Sequence, residues 1–152
     1  MTSATYPPGY VVTTSSTTTG LDGWKAFDHQ YNTWWLSVSA RYSATTGLYV
    51  GSNSTPGIAN NGESIKITFD FARNIKEVAL IPVANHRVAS FHIMYSLDGI
   101  NYVSVVNVDN IPPAVGVFTR YTFPTVYAKF WGCQIYRVVS DTHGGLIELR
   151  FS

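Results

Sequence analysis

Ile65-Lys66-Ile67-Thr68-Phe69-Asp70-Phe71 carries an apolar side chain at every second position. Successive side chains of a strand point to opposite faces, so Ile65, Ile67, Phe69 and Phe71 would share a buried face while Lys66, Thr68 and Asp70 point away. Ile147-Glu148-Leu149-Arg150-Phe151 repeats the pattern at the other end of the chain. Between them, Glu77 to Val83, Ser90 to Ser96, Asn101 to Val108, Val117 to Phe123 and Gly132 to Ser140 are rich in Val, Ile, Phe or Tyr, as strands are. Pro7-Pro8-Gly9, Leu21-Asp22-Gly23, Pro56-Gly57, Asn60-Asn61-Gly62, Asp98-Gly99, Pro112-Pro113 and Gly144-Gly145 cut the chain into pieces that suit strands better than helices. Asp98-Gly99, inside Tyr95 to Tyr102, marks a hairpin whose glycine supplies positive φ. Seven or eight strands with no helical stretch predict an all-β antiparallel β-sandwich, with helix limited to short turns.

Composition narrows the function. The chain has 152 residues, 45% hydrophobic and 14% aromatic but only 12% charged, about half the charge of an ordinary globular domain. That excludes a disordered tail and suits one domain with a core of its own. Ten Lys and Arg face nine Asp and Glu, so no broad basic field exists to neutralise phosphates, and nucleic acid is not expected as a partner. No run approaches the roughly 18 apolar residues of a membrane helix, and membrane insertion is not expected. Met1 to Gly9 shows no secretory signal pattern, which predicts synthesis in a cytoplasm. Cys133, in the apolar run Phe130 to Val139, reads as a small buried hydrophobe. His29, His86, His92 and His143 are scattered and show no zinc-motif spacing.

Residues 1–20 form an N-terminal arm or first strand and 21–152 the sandwich domain. Thr13 to Gly20 is a Ser/Thr run that suits a solvated edge. Arg41 to Gly62 is a long Ser-, Thr-, Gly- and Asn-rich connection carrying Tyr42, Leu48 and Tyr49. It is either a structured binding loop or a surface meander pinned by its aromatics.

Ala26-Phe27-Asp28-His29-Gln30-Tyr31-Asn32-Thr33-Trp34-Trp35 resembles the early signature of discoidin domains, also called coagulation factor 5/8 type C domains. Asp28, Thr33 and Trp35 fall on its fixed positions, while His29 and Gln30 stand where Gly and Asn are usual. That departure falls in a turn, where glycine alone adopts positive φ freely. Arg87-Val88-Ala89-Ser90-Phe91 with Tyr95-Ser96-Leu97-Asp98-Gly99-Ile100-Asn101-Tyr102 resembles the family's middle hairpin. Phe130 to Val138 with Gly144-Gly145-Leu146-Ile147-Glu148-Leu149-Arg150-Phe151 resembles its closing strand pair. Val88 and Ser64 depart from the usual Pro and Trp. The blocks keep the family's order across residues 24–151.

The resemblance implies an eight-stranded, galactose-binding-like jelly roll that binds through loops at one end and catalyses nothing. It further implies a Ca²⁺ held by Asp28, Thr33 and Glu148 with backbone carbonyls, a hard-oxygen donor set that suits this ion. The alternative is that Asp28 caps its turn and Glu148 pairs with an arginine.

For a ligand surface, aromatic faces stack on sugar C–H faces while planar polar groups fix the hydroxyls. Tyr31, Trp34 and Tyr49 are the aromatic candidates, and His86, Arg87 and His143 the polar ones. Trp35 belongs to the core, and Trp34 should point the other way, to a ligand or to a second buried layer. The polar three are otherwise solvated loop residues. A glycosidase needs two carboxylates across a cleft, and no such cleft, nucleophile elbow or phosphate loop is visible. The partner is therefore a glycan or a protein surface. The runner-up is a structural bacteriophage virion protein, such as a capsid decoration, head fibre or tail component, contacting other virion proteins. Either would work outside the cell or on a virion surface.

Overall fold

The structure, a computed structural model, describes residues 4–5 and 9–152. Its strands are β1 (Ala4–Thr5), β2 (Val11–Thr14), β3 (Trp35–Leu36), β4 (Glu63–Pro82), β5 (Val88–Ser96), β6 (Val103–Val108), β7 (Thr119–Val138) and β8 (Gly145–Phe151). The one helical element among the described residues is a 3₁₀ turn, Gly23–Phe27. Every strand pairing is antiparallel, and the expected all-β sandwich is the observed architecture.

Two long strands organise it. β4 and β7 lie side by side from Glu63 opposite Ile135 to Leu80 opposite Thr119. The first half of β4 pairs with β2, and the second half of β7 pairs with β5, which pairs with β6. The second half of β4 pairs instead with β8, which pairs with β3. One ribbon therefore runs through both layers of the sandwich. It changes layer at two register shifts, between Thr68 and Arg73 and between Ile75 and Glu77. Pro124 falls opposite the second shift, where its missing N–H costs no ladder bond.

The sequence pattern separates 65–71 from 77–83, and 117–123 from 132–140, whereas the structure fuses each pair into one strand. Bulges break the alternation of side chains without ending the backbone pairing, so each fused strand looks like two. The N-terminal arm or first strand expected over 1–20 lies partly outside the described residues, and within them Val11–Thr14 pairs with residues 65–68 of β4.

The inward faces meet in a core that includes Trp35, Tyr42, Ile65, Phe91, Trp131 and Leu149. Across the layers, Phe91 meets Tyr121 edge-on at 5.5 Å, and Trp131 lies 5.5 Å from Phe151. Such aromatic pairs add about 1 kcal/mol each beyond their area. Cys133 is fully buried, and burial pushes its thiol up, so it acts as core rather than as a nucleophile.

The expected hairpin joins β5 to β6. Gly99 has φ 77°, and the Asp98 carboxylate accepts bonds from the Ile100 and Asn101 N–H groups at 2.8 Å, from Asn101 Nδ2 at 2.9 Å and from Ser96 Oγ at 2.8 Å. These donors, the Ile100 N–H foremost, hold its carboxyl well below the usual carboxylate range. A carboxyl lowered by folding contributes stability above its unfolded pKa of about 3.9, and that contribution disappears as pH falls toward the folded value. Asp98→Asn removes this titration. Its melting temperature should therefore fall less steeply than that of wild type between about pH 5 and pH 2, and equal slopes in paired thermal scans would refute the assignment.

Candidate functional site

The registers Pro82 to Leu146 and Val88 to Val138 bring the end of β4, the start of β5, the end of β7 and the start of β8 to one end of the sandwich. The connections 83–87 and 139–144 therefore meet there, and three side chains converge. His86 Nδ1 is hydrogen-bonded to Asp141 Oδ2, and His143 Nδ1 lies 3.4 Å from Asp141 Oδ1. The two imidazole centroids are 5.0 Å apart. Burial alone would raise the Asp141 carboxyl, but the Thr142 N–H and the His86 and His143 rings outweigh it and hold it below its ordinary value.

Local backbone geometry aims this cluster. Ser140 has φ 44°, uncommon for a residue with a Cβ, and turns the chain sharply just before Asp141. The loop is then tied to the segment after β3. Gly144 donates to Ser37 Oγ and accepts from the Ser37 N–H, at 3.0 and 2.9 Å, while the Thr142 carbonyl accepts from Arg41 and Tyr42. A Cβ on Gly145 would stand 2.6 Å from the Trp35 carbonyl, so only glycine permits this approach. Arg87 sits alongside, its guanidinium donating to the Pro113 carbonyl at 3.3 Å.

Tyr49 lies elsewhere, in a network around Glu63. That carboxylate is fully buried. Oε2 accepts from Ser15 Oγ at 2.6 Å and Ser16 Oγ at 2.5 Å, and Oε1 from Tyr49 Oη at 3.0 Å and Asn53 Nδ2 at 2.9 Å. Arg41 Nε stands 3.5 Å away. Tyr42 beneath it is core, donating to the Ile135 carbonyl at 2.8 Å and packing edge-on against Tyr49. The 41–62 connection is thus a structured loop. Thr13 to Gly20, expected to be a solvated strand edge or arm, supplies two of the donors to this buried carboxylate, because its part-exposed serines complete the shell of an otherwise costly charge.

Asp28 and Thr33 form a third place, with Glu148 against the neighbouring His29. Thr33 Oγ1 donates to Asp28 Oδ2 at 2.6 Å, and Asp28 Oδ1 accepts the Gln30 N–H at 2.9 Å. His29 adopts φ 61°, so the signature turn survives without its glycine at about 1 kcal/mol of backbone strain. Glu148 bonds Arg150 Nε through Oε2, at 3.0 Å. Its Oε1 is buried without a partner, and burial, against the pull of Arg150 and His29, raises its carboxyl. These contacts are those of the alternative reading, Asp28 bonding its own turn and Glu148 paired with an arginine, and the partnerless Oε1 is the one oxygen of the three residues left for a hard cation. Arg150 covers the Phe118 ring at 4.5 Å, and exposed Tyr31 meets that ring edge-on at 6.3 Å. Trp34 is half-buried beside β3.

The sequence-based candidates therefore fall into three places: His86, Arg87 and His143 at the loop end, Tyr49 on Glu63, and Tyr31 with the Asp28 turn. Asp141, Glu63 and Phe118 were missed. Glu63 alone left a signal, because it shares the inward parity of Ile65 and Ile67.

No family model and no curated protein matches the chain. Several solved structures share its fold. A pectin-binding carbohydrate-binding module has 16% identity and a TM-score of 0.69, over 93% of this chain and 88% of that one. Chitosan-binding module 2 from a chitosanase/glucanase of Paenibacillus sp. IK-5, solved with chitotriose, has 21% identity and a TM-score of 0.71, over 94% and 95%. CBM32-3 from a family 31 glycoside hydrolase of Clostridium perfringens has 21% identity and a TM-score of 0.69, over 91% and 86%. At these identities the likeness is one of fold, the galactose-binding-like jelly roll, the fold that the discoidin resemblance implies.

The Glu63 network makes a quantitative demand. Glu63→Ala leaves four part-buried donors without their acceptor and unties the 41–62 loop, and should destabilise the protein by about 3 kcal/mol in urea unfolding.

Proposed function

We propose that this chain is a non-catalytic carbohydrate-binding module, binding through the loop end that carries His86, Arg87, Asp141 and His143. The observation that carries the reading is the convergence there of two imidazoles and a carboxylate from two loops, partly exposed and backbone-anchored, with an arginine alongside. Rings and guanidinium are planar donors, the chemistry that fixes sugar hydroxyls. The fold supports it, since the similar structures include modules described as binding pectin and chitosan. Near-neutral net charge suits an uncharged glycan engaged by stacking and hydrogen bonds. Trp34 is the proposed stacking residue, while Tyr31, against Phe118 by the Asp28 turn, stands apart from this end. The alternative role as a virion building block has no observation in its favour.

In a glycan array, the isolated protein should bind a defined set of sugars, and Arg87→Ala or Trp34→Ala should weaken the best of them by about tenfold, or ~1.4 kcal/mol. Absence of binding to any glycan, with and without calcium, would overturn the proposal.

Asp28, Thr33 and Glu148 are proposed to hold a structural Ca²⁺, which would give the buried Glu148 Oε1 a partner. A ligand of the native state raises stability by mass action. Excess Ca²⁺ should therefore raise the melting temperature over that in chelator by a few degrees, and Glu148→Gln should remove the difference. Identical melting in both buffers would refute the ion.

A further inference from the structure

The His86, Asp141 and His143 cluster satisfies the requirements of a second kind of site. Each residue offers one ligand atom, and these atoms all lie within 4.8 Å of one another. Zinc bound to imidazole nitrogen and carboxylate oxygen at about 2.0–2.2 Å places neighbouring donors roughly 3.4 Å apart. The three donors thus stand near the spacing of one face of a tetrahedron, and rotations of the rings and the carboxylate would bring them to it. Scattered positions in the sequence concealed this, since His86 and Asp141 are 55 residues apart.

We propose that His86, Asp141 and His143 form a binding site for a divalent transition-metal ion of the zinc type, with three protein ligands and one open position.

Three observations favour an ion over a bare hydrogen-bond cluster. The donor set mixes two imidazoles with one carboxylate, a combination that selects zinc-like ions over calcium or magnesium, which prefer oxygen alone. The side chains are 27%, 15% and 22% exposed for His86, Asp141 and His143, so an ion can enter from solvent yet is partly screened from it. The carboxylate is also pre-oriented, because Asp141 Oδ1 accepts the Thr142 N–H at 2.5 Å and the His143 N–H at 3.3 Å. Oδ2 is then directed at His86 and would be the ligating atom. Outer hydrogen bonds of this kind fix a ligand's orientation and raise metal affinity. The anchoring of Gly144 to Ser37 keeps the loop in place before the ion arrives.

The inference goes beyond the carbohydrate reading and is measured with no glycan present. Chelator-treated protein is titrated with zinc chloride in a calorimeter, and melting is followed in parallel. One ion per chain should bind at this site and raise the melting temperature, with magnesium failing to compete. His86→Gln and His143→Gln should each weaken zinc at least tenfold. Asp141→Asn, which keeps an oxygen to accept the loop N–H groups but loses the charge, should weaken it as well. The metal-free circular dichroism of each variant establishes that it is folded. No zinc-dependent heat and no melting shift would overturn the proposal. So would zinc binding that persists unchanged when both histidines are replaced, since the ion would then lie at His29, His92 or elsewhere.

Discussion

A buried charge governs the loop end of this sandwich. Glu63 is the first residue of β4 and has no contact with solvent. An ionised carboxylate taken out of water costs several kcal/mol unless its lone pairs are filled. Filling them requires Ser15 and Ser16 from the end of β2, Tyr49 and Asn53 from the long loop, and Arg41 nearby. One side chain thereby fixes the entry of two segments against the sheet. The effect extends to the neighbouring connection, because Arg41 and Tyr42 also donate their backbone N–H groups to Thr142, inside the loop that carries Asp141 and His143.

The fold was legible because alternation is a local property. Ile65, Ile67, Phe69 and Leu149 point inward as the alternation requires, and Asp98-Gly99 turns where its chemistry places the turn, whereas Phe71, inside the first register shift, is 61% exposed and Glu148, on the expected outer face of its strand, is fully buried. Strand continuity was not legible. The shifts near Asp70 and Lys76 place extra residues on one strand, so the pattern loses phase while the backbone stays paired. A reader of alternation sees four strands where the chain has two, and misses that those two join the layers.

The sites were legible in part, for a different reason. His86 and His143 could be chosen as polar residues in loops, and Asp28 and Thr33 from a turn signature, since each choice needs only local context. Their partners depend on which loops share an end. Asp141 meets His86 because the β4–β5 and β7–β8 connections emerge together, a consequence of strand register that no spacing in the sequence encodes. Phe118 is close to Arg150 and Tyr31 in the same way, drawn from three segments. The one recoverable miss is Glu63, whose position two residues before Ile65 puts it on the inward face. A lone acid at an inward position demands donors, and the Ser/Thr-rich run beside it supplies two of the four.

Low charge and a rigid loop end act together on binding. With 12% charged residues, the surface offers little long-range attraction, so affinity must come from contacts made at close range. Close contacts lose least when the groups are ordered beforehand, because immobilising a free side chain costs roughly 0.5–1.5 kcal/mol. The strain at Ser140, the Gly145 approach to Trp35 and the Gly144 bonds to Ser37 are borne by the folded state. They place Asp141 and the two imidazoles before any ligand arrives. The fold thereby fixes the loop end proposed for binding through a few buried polar groups and close backbone contacts.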